Sequence, residues 1–237
     1  MKRFLIAVTA AAALAAAGHA SAADLTETPV AASYNWSGLY IGANGGWGSS
    51  HSCWDASFFG LSFSEGCHNA TGGALGGQIG YRWQRNDWVF GVEAQGDWAD
   101  LKGSNQSEFI PVFTNRSRVD GFGLLTAQIG YSFSNALVYV KGGAAVTRNH
   151  FEVVTTFPPN TLAGTTDDQT RWGGALGAGV EYGFAPNWSL AIEYDHLFMP
   201  DKTTDFASIG LPFPFGTDRI SQSVDLVGLH LNYRFGG

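Results

Sequence analysis

The chain has 237 residues, of which 32 are glycine, 14% are aromatic and only 14% are charged, with a formal net charge of −7. That acidity excludes a backbone-tracking nucleic-acid binder. Abundant glycine and aromatics with few charges suit many short strands better than helices.

In chain order, Lys2-Arg3, the apolar stretch Phe4 to Ala17 and the small-residue site Ala20-Ser21-Ala22 read as a cleavable signal peptide over residues 1–22, cut before Ala23. The apolar stretch is too short for a transmembrane helix, and no later segment is long and apolar enough to be one. Losing Lys2 and Arg3 takes the net charge to −9. Periodicity then predicts eight strands: Trp36–Gly48, Ala74–Trp83, Trp88–Trp98, Val119–Phe133, Leu137–Thr147, Arg171–Phe184, Trp188–Leu197 and Val224–Phe235. Three connections are tight and rich in turn residues: Gln84-Arg85-Asn86-Asp87, Ser134-Asn135-Ala136 and Ala185-Pro186-Asn187. The other four, over 49–73, 99–118, 148–170 and 198–223, read as long loops.

A Tyr-x-aromatic pair recurs at four strand ends: Tyr81/Trp83, Tyr131/Phe133, Tyr182/Phe184 and Tyr233/Phe235, with tyrosines 50, 51 and 51 residues apart. Residues i and i+2 of a strand share a face, so each pair sets two rings on one surface beside a turn. Rings at one level mark a membrane–water boundary. Alternation supplies the two faces. Phe90, Val92, Ala94 and Trp98 oppose Glu93, Gln95 and Asp97; Leu190, Ile192 and Tyr194 oppose Glu193 and Asp195. Val138, Val140 and Val146 oppose Tyr139 and Lys141; Val227, Leu229, Leu231, Tyr233 and Phe235 oppose His230, Asn232 and Arg234. Parity alone does not say which face is inside, and a soluble secreted barrel needs the reverse arrangement. The signal peptide, the aromatic girdle and the alternation of short and long connections favour apolar residues outside. The expectation is an all-β, eight-stranded antiparallel up-and-down transmembrane β-barrel over 36–237, preceded by a periplasmic lead-in over 23–35. It would sit in a bacterial outer membrane with both ends in the periplasm.

Three segments resemble a known family. Trp36 to Gly48 (WSGLYIGANGGWG) resembles the opening strand of the small outer-membrane β-barrels labelled "porin family", surface antigens of alphaproteobacteria related to the OmpA membrane domain. Ala178 to Tyr194 resembles that family's sixth and seventh strands, and Val227 to Phe235 its closing strand. The resemblance spans the mature chain and specifies a fold more than an activity. It implies contact with outer-membrane lipid and lipopolysaccharide, and recognition of the C-terminal strand by the barrel-assembly machinery. Family members usually stop at the final aromatic, whereas Gly236-Gly237 follow Phe235 here. The extension either weakens that signal or is tolerated by it.

An eight-stranded barrel is filled by its own side chains. The inward set includes Glu93, Gln128, Lys141, Glu181, Glu193, His230 and Arg234. Glu93, Glu193 and Lys141 lie at similar distances from their turns, which predicts a carboxylate–lysine cluster at one level. A satisfied polar core is one reading of it, and an acid-lined path for ions or small solutes is the other. Cys53 and Cys67 share the first long connection and predict a disulfide in an oxidising compartment. His51 and His68 flank them, but the spacing matches no strong zinc pattern, and no metal or cofactor is expected. His150, His196 and His230 stand alone in the sequence. G-x-S-x-G and phosphate-loop motifs are missing, so no enzyme is expected. Apolar, proline-bearing pieces (Phe109 to Phe113, Phe157 to Pro159, Leu211 to Phe215) pack among the loops or bind a surface ligand such as haem or a host protein. The leading role is structural, in envelope integrity and surface-loop display.

Overall fold

A chain that alternates apolar and polar residues over ten-residue runs buries only half of each strand, so the strands must share one enclosed space. In the computed structural model, which describes residues 33–58, 61–108, 111–156, 162–165, 168–205, 207–208 and 217–236, they do so as a ring. The strands are β1 (Gly38–Phe58), β2 (Leu61–Arg85), β3 (Trp88–Gln106), β4 (Phe113–Phe133), β5 (Ala136–Thr155), β6 (Leu162–Thr165), β7 (Gln169–Ala185), β8 (Trp188–Asp205), β9 (Ala207–Ser208) and β10 (Thr217–Arg234). Eight long strands pair antiparallel in chain order. β1 meets β10 from Tyr40↔Arg234 to Ser57↔Thr217, which closes the barrel and leaves no edge. The short β6 and β9 pair with each other, and β6 pairs with β5. The expected signal peptide and the lead-in up to residue 32 lie outside the described residues. So do Phe109 and Ile110, residues 157–159 and residues 211–215 of the apolar pieces.

At one end, β2–β3, β4–β5 and β7–β8 are joined by two residues each. Asn86 and Ser134 take left-handed backbone there, with φ of 52° and 56°, a conformation that asparagine tolerates better than most residues. Each turn also caps its neighbour, as where the Ser132 N–H donates to Asp87 O at 2.7 Å.

The opposite end differs from expectation. Much of what reads as long loops is paired strand: β1 and β2 stay in register out to Phe58↔Leu61, and β4 and β5 out to Phe113↔Thr155. The hydropathy pattern inverts there. Below Trp98 the outward residues are apolar and the lumen is polar. Beyond it Lys102, Arg116 and Arg118 are exposed, while Leu101, Val119, Trp54, Phe151 and Ile220 are buried. Water replaces lipid outside, so apolar residues turn inward. Bulges after Trp98 and Val119 fall at this crossover.

The outer surface fits a bilayer. Phe90, Val92, Leu125, Val140, Leu176, Val180, Ile192, Val227 and Leu229 are all exposed. On β3 this band runs from Trp88 to Trp98, about 33 Å along the strand. At a tilt near 40° that is about 25 Å of height, the usual apolar band of an outer-membrane barrel.

Candidate functional site

The lumen is filled in layers, beginning at the short-turn end. Tyr34 and Trp36, expected in the lead-in and the first strand, are instead folded into the barrel mouth and buried with Val89, Leu137 and Tyr139. Trp36 Nε1 donates to Ser132 Oγ at 3.0 Å, its backbone N–H to Gln84 Oε1 at 2.8 Å, and the Tyr34 N–H to Asn135 Oδ1 at 3.2 Å. The Tyr34 ring lies against Gly183, where no β-carbon would fit.

Above this plug, Arg82 Nη2 bridges Glu181 Oε2 at 2.8 Å, with both side chains nearly sealed from solvent. The guanidinium stacks 4.4 Å from the centroid of the Tyr40 ring. Ser189 and Asn232 (2.9 Å) donate to the other Glu181 oxygen. Arg234 ties the mouth together, donating to Pro186 O at 2.9 Å, Ser37 O at 3.3 Å and Gly236 O.

The next level centres on Lys141, whose side chain is 1% exposed. Its Nζ meets Glu193 Oε1, Glu93 Oε1 at 3.4 Å and Asp195 Oδ2 at 3.3 Å. Tyr40 and Tyr139 add hydroxyl donors, Tyr40 to Glu93 at 2.6 Å and Tyr139 to Glu193 at 2.7 Å. His230 Nε2 lies 3.6 Å from Glu193. The Tyr139 ring reaches this level across Gly179, where a β-carbon would sit 2.6 Å from its Cζ. Gln128 donates to the Tyr40 hydroxyl at 3.0 Å, and Asn44, Gln78 and Asn232 form a chain beside it at 2.9 and 2.8 Å. Buried charges at this density are tolerable only when paired and hydrogen-bonded.

Beyond the charges lies an apolar layer of Leu101, Val119, Phe122, Leu124, Leu197, Val224 and Leu226. A polar layer follows, in which Gln222 donates to Ser50 and Asn149 at 2.9 Å each and Arg171 donates to Pro200 O and Ile220 O. Trp54, Phe151, Val153 and Ile220 cap the far end.

The structure therefore brings Glu93, Lys141, Glu193 and His230 to one level, with Glu181 in the pair below and Arg234 at the mouth. Reading the sequence missed Arg82, Tyr40, Tyr34, Trp36 and Asp195 as members. Arg82 sits between Tyr81 and Trp83, so parity sets it on the face opposite those rings, a signal that could have found it; its partner on β7 is what parity does not name. All eight girdle residues point outward: Tyr81, Trp83, Tyr182, Phe184, Phe133 and Phe235 are exposed, and Tyr131 and Tyr233 half-buried. Trp88 packs edge-to-face with Tyr131 and Trp188 with Tyr233, ring centroids 5.4 and 5.0 Å apart.

Cys53 and Cys67 stand opposite each other on β1 and β2 and form a disulfide, with Cα atoms 4.1 Å apart. His51 shares their outer face and contacts Asn69 Oδ1 at 2.7 Å. His68 faces the interior and contacts Ser117 Oγ at 2.9 Å. The two histidines thus lie on opposite faces, and both sulfurs are committed to the bridge. His196 Nδ1 contacts Asp225 at 2.7 Å, and His150 lies between Glu152 and Asp168 at 3.5 and 3.6 Å.

A closed antiparallel ring, lipid-compatible outside and polar within, with aromatic borders about 25 Å apart, is an outer-membrane β-barrel. Residues 8–235 match the family model described as outer membrane protein beta-barrel domain, and the chain belongs to that family. It is 33% identical over 177 residues to the 31 kDa outer-membrane immunogenic protein of Brucella melitensis, covering 68% of this chain and 70% of that one. A Coxiella burnetii protein is 28% identical over 226 residues, covering 82% and 84%. Among solved structures, the outer membrane protein OprG of Pseudomonas aeruginosa superposes with a TM-score of 0.53 at 14% identity, covering 85% of this chain and 98% of OprG. That last likeness is one of fold. The protein resides in the bacterial outer membrane, in contact with its lipid.

Proposed function

We propose that this barrel is a sealed structural element of the outer membrane, contributing to envelope integrity and holding its long hairpins at the cell surface, without catalysis. One observation carries the reading: the lumen is occupied at every described level, from the Tyr34/Trp36 plug through the Lys141 cluster to the Leu101 layer. The voids beside the charged levels measure about 20 and 10 Å³. A single water needs about 10–15 Å³, so these are water-sized gaps and not an aqueous column. An ion crossing would have to separate Lys141 from three carboxylates. On this reading the charges specify and fill the core. The outward Tyr233 at the end of β10 and Phe235 just after it form the surface offered to the barrel-assembly machinery, and Gly236 beyond them has left-handed backbone with φ of 84°.

The test is single-channel conductance of the refolded barrel in a planar bilayer, wild type beside Lys141→Ala. A silent wild type is expected. Reproducible wild-type steps that Lys141→Ala alters would overturn the sealed barrel in favour of a narrow pore.

A further inference from the structure

The hairpin of β1 and β2 carries a reactive group in water. Cys53 and Cys67 face each other across the two strands on the outward surface. Cys53 lies six residues beyond Trp47, the last exposed large apolar side chain described on β1. That is about 20 Å along the strand, or about 15 Å of height at the usual tilt, so the bridge stands clear of the lipid. The two sulfurs differ in their surroundings. Cys67 is exposed and Cys53 half-buried. His51 Nε2 lies 3.5 Å from Cys53 Sγ, and His51 Nδ1 lies 2.7 Å from Asn69 Oδ1. An amide oxygen only accepts, so Nδ1 carries a proton. As an imidazolium, His51 has an acceptor for each N–H: Asn69 on one side and the Cys53 sulfur on the other. His51 pairs with Asn69 across the same two strands, so the ladder sets this geometry.

Thiol–disulfide exchange proceeds by thiolate attack on one sulfur, and the better leaving thiolate departs faster. A cationic imidazole beside a cysteine favours its thiolate. Attack at the exposed Cys67 makes Cys53 the leaving group, next to the one imidazole that can take up its charge. Accessibility and charge stabilisation therefore select the same sulfur for attack.

We infer that this bridge is a reversible exchange site for low-molecular-weight thiols, with Cys67 attacked, Cys53 leaving and His51 donating the proton. The external thiolate bonds to Cys67 Sγ as the Cys53–Cys67 bond breaks. The electron pair goes to Cys53 Sγ, which takes the His51 Nε2 proton. The products are a mixed disulfide on Cys67, a Cys53 thiol and a neutral imidazole. In the return step Nε2 takes the proton back, and Cys53 expels the external thiolate from Cys67. Ser52↔His68 and Trp54↔Gly66 pair on either side of the bridge, so the strands keep the two cysteines opposed while it is open.

The experiment adds glutathione to the oxidised barrel in phosphatidylcholine nanodiscs, quenches with acid and maps the adduct by mass spectrometry. Wild type should carry its early adduct on Cys67. His51→Ala and His51→Gln should each slow adduct formation about tenfold and leave it on Cys67. That is less than the roughly 100-fold or more of a positioned proton donor, because water competes at an open site. His150→Ala, on β5, should react as wild type does. An adduct on Cys53, or on both sulfurs equally, overturns the inference. So does an unchanged rate in His51→Gln, an equal slowing in His150→Ala, or a wild-type bridge that glutathione does not open. Circular dichroism verifies that each variant is folded.

Discussion

Replacing Lys141 by Met removes one charge and keeps most of the side-chain volume, which isolates the electrostatic part of the lumen. Nζ faces Glu193, Glu93 and Asp195, and the side chains of all four are at most 6% exposed. Removing one member of a buried ion pair costs about 3–5 kcal/mol, because the remaining charges are stranded. Here three carboxylates share the lost partner. Tyr40 and Tyr139 still donate to Glu93 and Glu193 and relieve part of the penalty, so a loss of about 3–5 kcal/mol stands as the expectation. Adding Glu193→Gln should restore part of it, since one stranded charge disappears. A coupling of about 1–3 kcal/mol is within the range for contacting residues. The assay is reversible urea unfolding of the barrel in lipid vesicles, followed by tryptophan fluorescence, with the double-mutant cycle completed. A Lys141→Met cost below about 0.5 kcal/mol, the range of inert surface changes, would refute a lumen held by charge pairing.

Ile192 on β8 is 61% exposed, four residues above Trp188 and six below Phe198, which places it near the bilayer midplane. Ile192→Arg should therefore cost about 2–4 kcal/mol in the same vesicle assay, and neutral behaviour would mean that the faces are inverted. Beyond the membrane, burial raises the Glu65 carboxyl above the ordinary carboxylate range, although Asn115 and Ser107 donate to it at 2.9 and 3.3 Å. The folded protein then holds this proton to a higher pH than the unfolded chain does. Its contribution to stability is complete below the unfolded value and is lost as pH rises through the raised folded one. Glu65→Gln should flatten the pH dependence of the hairpin's hydrogen-exchange protection from pH 4 upward and raise protection at neutral pH. An unchanged slope would show that Glu65 does not set it.

Alternation along Trp88–Trp98 and Trp188–Leu197 needs only the two-residue period of a strand, so the division of residues between the two faces was legible residue by residue. The Tyr-x-aromatic pairs were legible for the same reason: a boundary between two solvents acts on each strand end separately. The hairpins beyond Trp98 were not, because the outer solvent changes from lipid to water and the hydropathy of the two faces exchanges, so a continuing strand reads as a loop. Tyr34 and Trp36 precede β1, although the periodicity begins the first strand at Trp36; only a closed mouth of the right width gives them their place. The salt bridges belong to the same class. Parity sets Arg82, Lys141, Glu93, Glu181 and Glu193 on the polar face, and equal distances from the short turns point to Lys141 with Glu93 and Glu193; the choice of Arg82 with Glu181 and the addition of Asp195 to the Lys141 cluster depend on the stagger between strands. That stagger exists only once β1 has closed on β10, since a ring fixes the relative height of residues on distant strands and a linear sequence does not.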